Sequence, residues 1–283
     1  MTLDDLRKKL RSVDELPALP TIITEINALL SNPKTTATEL SRVIMRDPAI
    51  TAKILKIVNS SFFGLPKRIS SVNQSIIVLG FNTVRSIALC SSIIESLGRG
   101  SGGGRLNYKD FWQYSVGVAS AARVLARNAE EKKTESFFVS GLLHGVGRVV
   151  LDKFFRAEYG KALDLAKEKD ITLFEAERTV LGLTDAQVGA VLLEIWKLNP
   201  EQVGHVMHQE NPAAGGEFAA GAAYNLIASV FGRVLRLGDS GDHHLPHISQ
   251  QILDIAHIEA PQWPRLLDLT ADEAKRASVF HEM

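Results

Sequence analysis

Apolar residues three and four positions apart recur along nearly the whole chain, and strand-like alternation is scarce. That spacing lines one face of a helix, so it confines the fold to packed helices. Leu3, Leu6, Leu10 and Val13 make a first stripe; Ile22, Ile23, Ile26, Leu29 and Leu30 make a second, entered at Pro20 and closed by Asn32-Pro33. Thr36 or Thr38 caps the next helix, which Asp47-Pro48 stops. Another follows through Ile50, Ile54, Leu55, Ile57 and Val58 to a stop near Gly64. Ser71 or Asn73 opens a short helix ending near Gly80, and Asn82 caps a longer one that runs to Leu97.

Gly98-Arg99-Gly100-Ser101-Gly102-Gly103-Gly104 cannot sustain a helix and reads as a loop between two helical halves. A phosphate-binding loop is excluded there, because no Gly-Lys-Ser/Thr follows and no strand precedes it. Beyond it the periodicity predicts helices over Tyr108 to Asn128, Glu135 to Phe155, Ala157 to Lys169, Leu173 to Leu181, Asp185 to Leu198, Pro200 to Gln209 and Glu217 to Leu237. Gly238 to Pro246 is polar and loop-like. The expected fold is all-α, a two-lobed helical bundle: an N-terminal lobe over 1–98, a Gly-rich loop over 99–106, a second lobe over 107–212, and a C-terminal helical extension over 213–283 packed on it.

Charge narrows the partners. The formal net charge of zero lacks the basic excess typical of proteins that grip duplex DNA or anionic membranes. The stretch from Met1 to Asp14 mixes acids and bases and lacks the apolar core of a secretory signal, and no run of about 18 uncharged apolar residues could span a bilayer. The single cysteine, Cys90, cannot form an intramolecular disulfide and sits in the apolar run Ile87-Ala88-Leu89, where a small buried thiol is expected. The expected location is the cytoplasm.

Several ordered motifs then coincide in the N-terminal half: Leu16-Pro17-Ala18-Leu19-Pro20, Asp47-Pro48-Ala49-Ile50, Val58-Asn59-Ser60 with Phe63-Gly64, Leu79-Gly80-Phe81 and Val84-Arg85. Together they resemble the HDOD domain, a bacterial signalling domain related to HD-type metal-dependent hydrolases, over roughly residues 14 to 212. Read from the residues alone, these motifs are backbone devices: prolines that fix helix entry, a stop and restart at Asp47-Pro48, and an asparagine able to bond local backbone groups.

The resemblance implies where a catalytic HD domain would hold metal. Phe111-Trp112-Gln113-Tyr114-Ser115 is similar to the helix carrying the first histidine, and Tyr114 stands in its place. Gly141-Leu142-Leu143-His144-Gly145-Val146-Gly147-Arg148 is similar to the His-Asp segment: His144 remains, Gly145 replaces the aspartate, and Arg148 replaces a usual lysine. Asp185 lies near the next expected histidine, His208-Gln209 falls where a His-His pair often sits, and Glu217 to Leu237 contains no aspartate where the last ligand belongs. Two-metal phosphoryl chemistry needs a filled set of carboxylates and neutral imidazoles. Tyr114, His144, Gly145, Asp185 and His208 therefore read as a vestigial pocket, with no catalytic residue, no metal and no cofactor expected. The GYP signature of the cyclic dinucleotide phosphodiesterase branch is absent.

Two other groupings were weighed. His243, His244 and His247 cluster with Asp239 and Asp242 but lack structural-zinc spacing and any thiolate. Leu40 to Asn59 resembles two helices around a short break, as in a helix-turn-helix, but its second helix offers only Lys53, Lys56 and Asn59 to read bases. The reading is a non-catalytic signal-transduction module acting through a protein partner. The alternatives are a degenerate HD-type phosphohydrolase or nucleotide-binding protein, and then a DNA-binding regulator.

Overall fold

The computed structural model describes residues 3–12, 21–30, 32, 34–81, 83–85, 87–88, 104–242 and 244–282. The Leu16–Pro20 motif, Cys90, His243 and most of the glycine run lie outside these residues. The described residues are helical throughout with no strand, as the periodicity predicts. None of their helices is long and apolar enough to cross a membrane.

The chain divides into two compact units. The smaller takes residues 15–100 and 276–283, and the larger takes 1–14 and 101–275. This division differs from the sequence boundaries at both ends, for a packing reason in each case. Helix α1 (Leu3–Ser12) buries Leu6 and Leu10 in the larger unit and pairs Arg7 with Glu194 at 3.0 Å. The closing 3-10 turn, Ala277–Glu282, places Phe280 edge-on against Phe62 at 5.2 Å in the smaller unit.

The smaller unit contains α2 (Thr21–Leu30), α3 (Ala37–Ile44), α4 (Pro48–Val58) and α5 (Val72–Leu79). Its helix starts are built as the residues dictate. Thr36 and Glu39 form a capping box on α3; Asp47 caps α4 with Pro48 in its first turn; Ser71 caps α5, which Gly80 ends. Asn59 is the clasp. Its side-chain amide donates to the carbonyls of Leu55 and Ile69, at 2.7 and 2.9 Å, and its oxygen accepts from the Ile69 N–H at 2.7 Å. It ties the loop after α4 back to the helix end, which extends the local role expected of it.

The larger unit is built around α6 (Tyr108–Asn128), buried on nearly every side from Tyr114 to Ala126. Around it lie α7 (Thr134–Leu143), α8 (Val146–Phe154), α9 (Arg156–Lys169), α10 (Leu173–Leu181), α11 (Asp185–Ile195), α12 (Pro200–Met207), α13 (Ala219–Val234), α14 (Gln250–Ile255) and α15 (Trp263–Arg276). α13 packs against α6, α7 and α12. At the α6–α7 crossing the backbones nearly touch: a Cβ on Gly141 would lie 2.8 Å from Ala119 Cα.

One expected helix is two. Instead of running from Glu135 to Phe155, the chain breaks at His144-Gly145 into α7 and α8. The ring of Phe111 fills the space that a side chain at residue 145 would need. Gly147 then brings α8 hard against the start of α11, because a Cβ there would collide with the Asp185 carbonyl oxygen and lie 2.6 Å from the Gly189 nitrogen. The backbone on both sides is fixed, so neither can yield cheaply. Gly147→Ala is expected to cost about 1–3 kcal/mol or more, read as a lower denaturant midpoint, by prising α8 from α11. An unchanged midpoint would show that this approach is not tight.

Candidate functional site

The α7–α8 break and the starts of α10 and α11 converge on a cavity of about 40 Å³ in the larger unit. His144, Arg148, Asp185, Gln209, Glu210, Asn225, Arg233 and Asp242 line it. Each arrives for a local reason. His144 sits at the end of α7, Arg148 lies one turn into α8, and Asp185 follows the Thr184 cap of α11. Gln209 and Glu210 follow the end of α12, and Asp242 comes from the loop after α13.

At its centre is a buried ion pair: Arg148 Nε donates to Asp185 Oδ2 at 2.7 Å, and Arg148 Nη1 donates to the Ser240 carbonyl at 2.8 Å. The Asp185 amide in turn donates to Glu177 Oε2 at 2.7 Å. Burial pulls against the Arg148 charge, but Asp185 chiefly, with Tyr159 and Asp242, holds its pKa well above the ordinary value. Glu177 is fully buried, and desolvation, followed by the Asp185 charge, pushes its carboxyl well above the usual range. The same two causes push Glu210 up to about 8.

His144 is 3% exposed. Its Nδ1 lies 2.7 Å from the Gly141 carbonyl, which fixes a proton there and leaves Nε2 an acceptor. Burial first, then Arg148, lowers its pKa to about 4, so it is neutral. The Gln209 side-chain amide donates to the His144 carbonyl at 3.0 Å.

The remaining expected residues fall elsewhere. Tyr114 sets its ring edge-on to His144 at 5.4 Å and donates its hydroxyl to the Ser229 carbonyl at 3.2 Å. His208 stacks on Phe218 at 6.5 Å and does not line the cavity. The buried histidine of that helix is His205, stacked on Phe137 at 5.2 Å and lowered to about 4 by burial. In the polar loop, His244 faces Asp170 at 3.4 Å and its carbonyl accepts from Arg233 at 2.6 Å, while His247 is exposed. Among the described residues the grouping with metal-ligand spacing is Glu177, Asp185 and Glu210. The sequence points to Asp185 alone of these three; it marks Gln209 only beside His208 and Asp242 only beside the loop histidines, and it does not single out Arg233. Arg148 was noted only as a lysine replacement, though a cation beside a vanished aspartate was itself the signal.

The donors do not fit a two-metal HD centre. Tyr114 and Gly145 stand at the positions where the resemblance implies a histidine and an aspartate, and Asp185 is bonded to Arg148.

Fold and cavity together define an all-helical domain whose HD-like pocket is closed by ion pairs. The sequence model of the HDOD domain matches residues 16–212, and the chain belongs to the HDOD domain family. A crystal structure of an HDOD domain protein of unknown function from Geobacter sulfurreducens is 27% identical, with a TM-score of 0.73 over 98% of this chain and 96% of that one. A Shewanella amazonensis SB2B protein, whose name suggests a phosphohydrolase, superposes at TM-score 0.75 over 98% and 97% of the two chains with 22% identity, which speaks for the fold alone. An uncharacterized protein of Treponema pallidum (strain Nichols) is 23% identical over 256 residues, 88% of this chain and 48% of its own length. The chain thus spans about half of that curated relative.

The site makes stability depend on pH in two opposing ways. Glu210 keeps its proton to about pH 8 when folded but releases it near 4.5 when unfolded, so the folded state binds more protons between those values and loses stability as pH rises through them. His144 and His205 titrate near 4 when folded and near 6.5 when unfolded, so stability falls as pH drops through that window. Urea titrations at a series of pH values should show Glu210→Gln flattening the decline between about pH 5 and 8. A variant that keeps the wild-type decline would contradict this assignment.

Proposed function

We propose that this chain is a non-catalytic signal-transduction module of bacteria, acting in the cytoplasm through contact with a protein partner. The observation that carries the reading is the buried Arg148–Asp185 pair, which engages the carboxylate near an expected ligand position with a guanidinium. The cavity volume supports it too: about 40 Å³ is far below the roughly 300–1,000 Å³ of sites that hold small-molecule ligands, so a nucleotide is not accommodated there.

A surface for the partner is available on the smaller unit. Ile77 is 70% exposed and its neighbour Val78 is 48% exposed on α5, and Met45 is 53% exposed at the end of α3, against which α5 packs. Apolar side chains left in water on adjoining helices fit a recognition face. Neutral net charge fits a protein partner better than DNA or a membrane.

Two measurements test the proposal. With Mn²⁺ or Mg²⁺, hydrolysis of bis(p-nitrophenyl) phosphate and of cyclic dinucleotides should stay at background; turnover that His144→Ala abolishes would overturn it. Affinity capture from the source cells should recover a partner that Ile77→Asp/Val78→Asp loses, with the helical spectrum unchanged. Capture indifferent to that change would move the interface off α5.

A further inference from the structure

Several buried atoms beside the cavity lack partners, and their chemistry agrees. Glu177 Oε1 and Glu210 Oε1 are buried without a hydrogen bond. Oxygens of Glu177, Asp185 and Glu210 nevertheless lie within 4.8 Å of one another. That is the spread of oxygens around one ion with bonds of about 2.1–2.4 Å.

A second set of atoms points the same way independently. His144 Nε2 and Gln209 Oε1 face the cavity lined by Asp185 and Glu210, on side chains 3% and 8% exposed, and neither has a partner. Their other ends are committed, His144 Nδ1 to the Gly141 carbonyl and the Gln209 amide to the His144 carbonyl. Both free atoms are therefore acceptors in search of donors. Water held through its oxygen by a cation turns both hydrogens outward, and about 40 Å³ has room for it.

We infer that Glu177, Asp185 and Glu210 bind one divalent cation of the Mg²⁺ or Mn²⁺ class, whose water donates to His144 Nε2 and Gln209 Oε1. Charge fits this occupant. Of the three carboxylates, Asp185 is the one paired with a buried guanidinium, Arg148; Arg233 and Asp242 offset each other at 3.4 Å, and Arg178 stands at the exposed rim, 3.6 Å from Glu210. Asp185 Oδ2 accepts from Arg148 Nε at 2.7 Å. An all-oxygen set favours a hard cation over zinc. Glu177 and Glu210 stand at none of the positions where the HD resemblance places a ligand, so this ligand set is not that of the hydrolytic centre, although Asp185, His144 and Gln209 line the same cavity as its vestige. It does not rest on the signalling reading.

The test uses the full chain, stripped with chelator and titrated with Mn²⁺ by electron paramagnetic resonance. One saturable site is expected, displaced by Mg²⁺, and the isosteric Glu177→Gln/Glu210→Gln variant should weaken it about tenfold or more with its helical spectrum intact. Mn²⁺ below one equivalent should also broaden the ring resonances of His144 in the wild-type protein while sparing those of His257, and this reading decides the matter if the variant does not fold. No saturable binding at millimolar Mn²⁺, undiminished affinity in the variant, or broadening confined to His244 and His247 would overturn the site.

Discussion

Burying a guanidinium and a carboxylate together is expensive unless both are fully bonded, and the larger unit is organised around meeting that requirement. Arg148 reaches Asp185 because Gly147 lets two backbones approach to contact, and its second nitrogen is held by the Ser240 carbonyl from the loop after α13. Asp185 lies at the first turn of α11, where the helix dipole favours a negative charge. Glu177 accepts the Asp185 amide and extends the pair into a chain of polar groups linking α8, α10 and α11. Losing one member would strand the others in a low-dielectric interior, so the group acts as a unit.

This arrangement ties together the helices around an HD-like pocket through an ion pair. A metal pair draws its surrounding helices together through bonds to several of them at once. Here an arginine performs the cross-linking, and the neighbouring positions have been filled by groups that pack: the Tyr114 ring against His144, and the Phe111 ring against Gly145. His144 survives as a neutral, hydrogen-bonded strut whose carbonyl anchors Gln209. What remains outward-facing is a helical surface, with Ile77 and Val78 bare on α5.

The helices were legible because periodicity and caps are local properties. Thr36, Asp47, Ser71 and Thr184 each cap a helix from their own few neighbours: Thr36 is used rather than Thr38 and Ser71 rather than Asn73, Asp47-Pro48 opens the restart, and α11 opens at Asp185 as its spacing predicts. The break at His144-Gly145 was not legible, since the Phe111 ring packed against Gly145 is distant in sequence. The site divided along the same line. His144 and Asp185 stood out through the family resemblance. Glu177 looked like any acidic residue on an amphipathic helix, and Glu210 like a loop carboxylate, because their burial is a property of tertiary packing alone. The Arg148–Asp185 pair spans 37 residues, and nothing local signals it.

The central claim is that this ion pair holds the larger unit together, and a double-mutant cycle measures it directly. Arg148→Met, Asp185→Asn and the combined variant would be compared with wild type by urea unfolding followed through helix content. The account predicts that Arg148→Met alone costs about 3–5 kcal/mol, and that the two changes are coupled by at least about 1 kcal/mol, the double variant losing less than the sum of the singles. Costs that add to within about 0.5 kcal/mol would show that the two side chains are neighbours without being partners, and the account would fail.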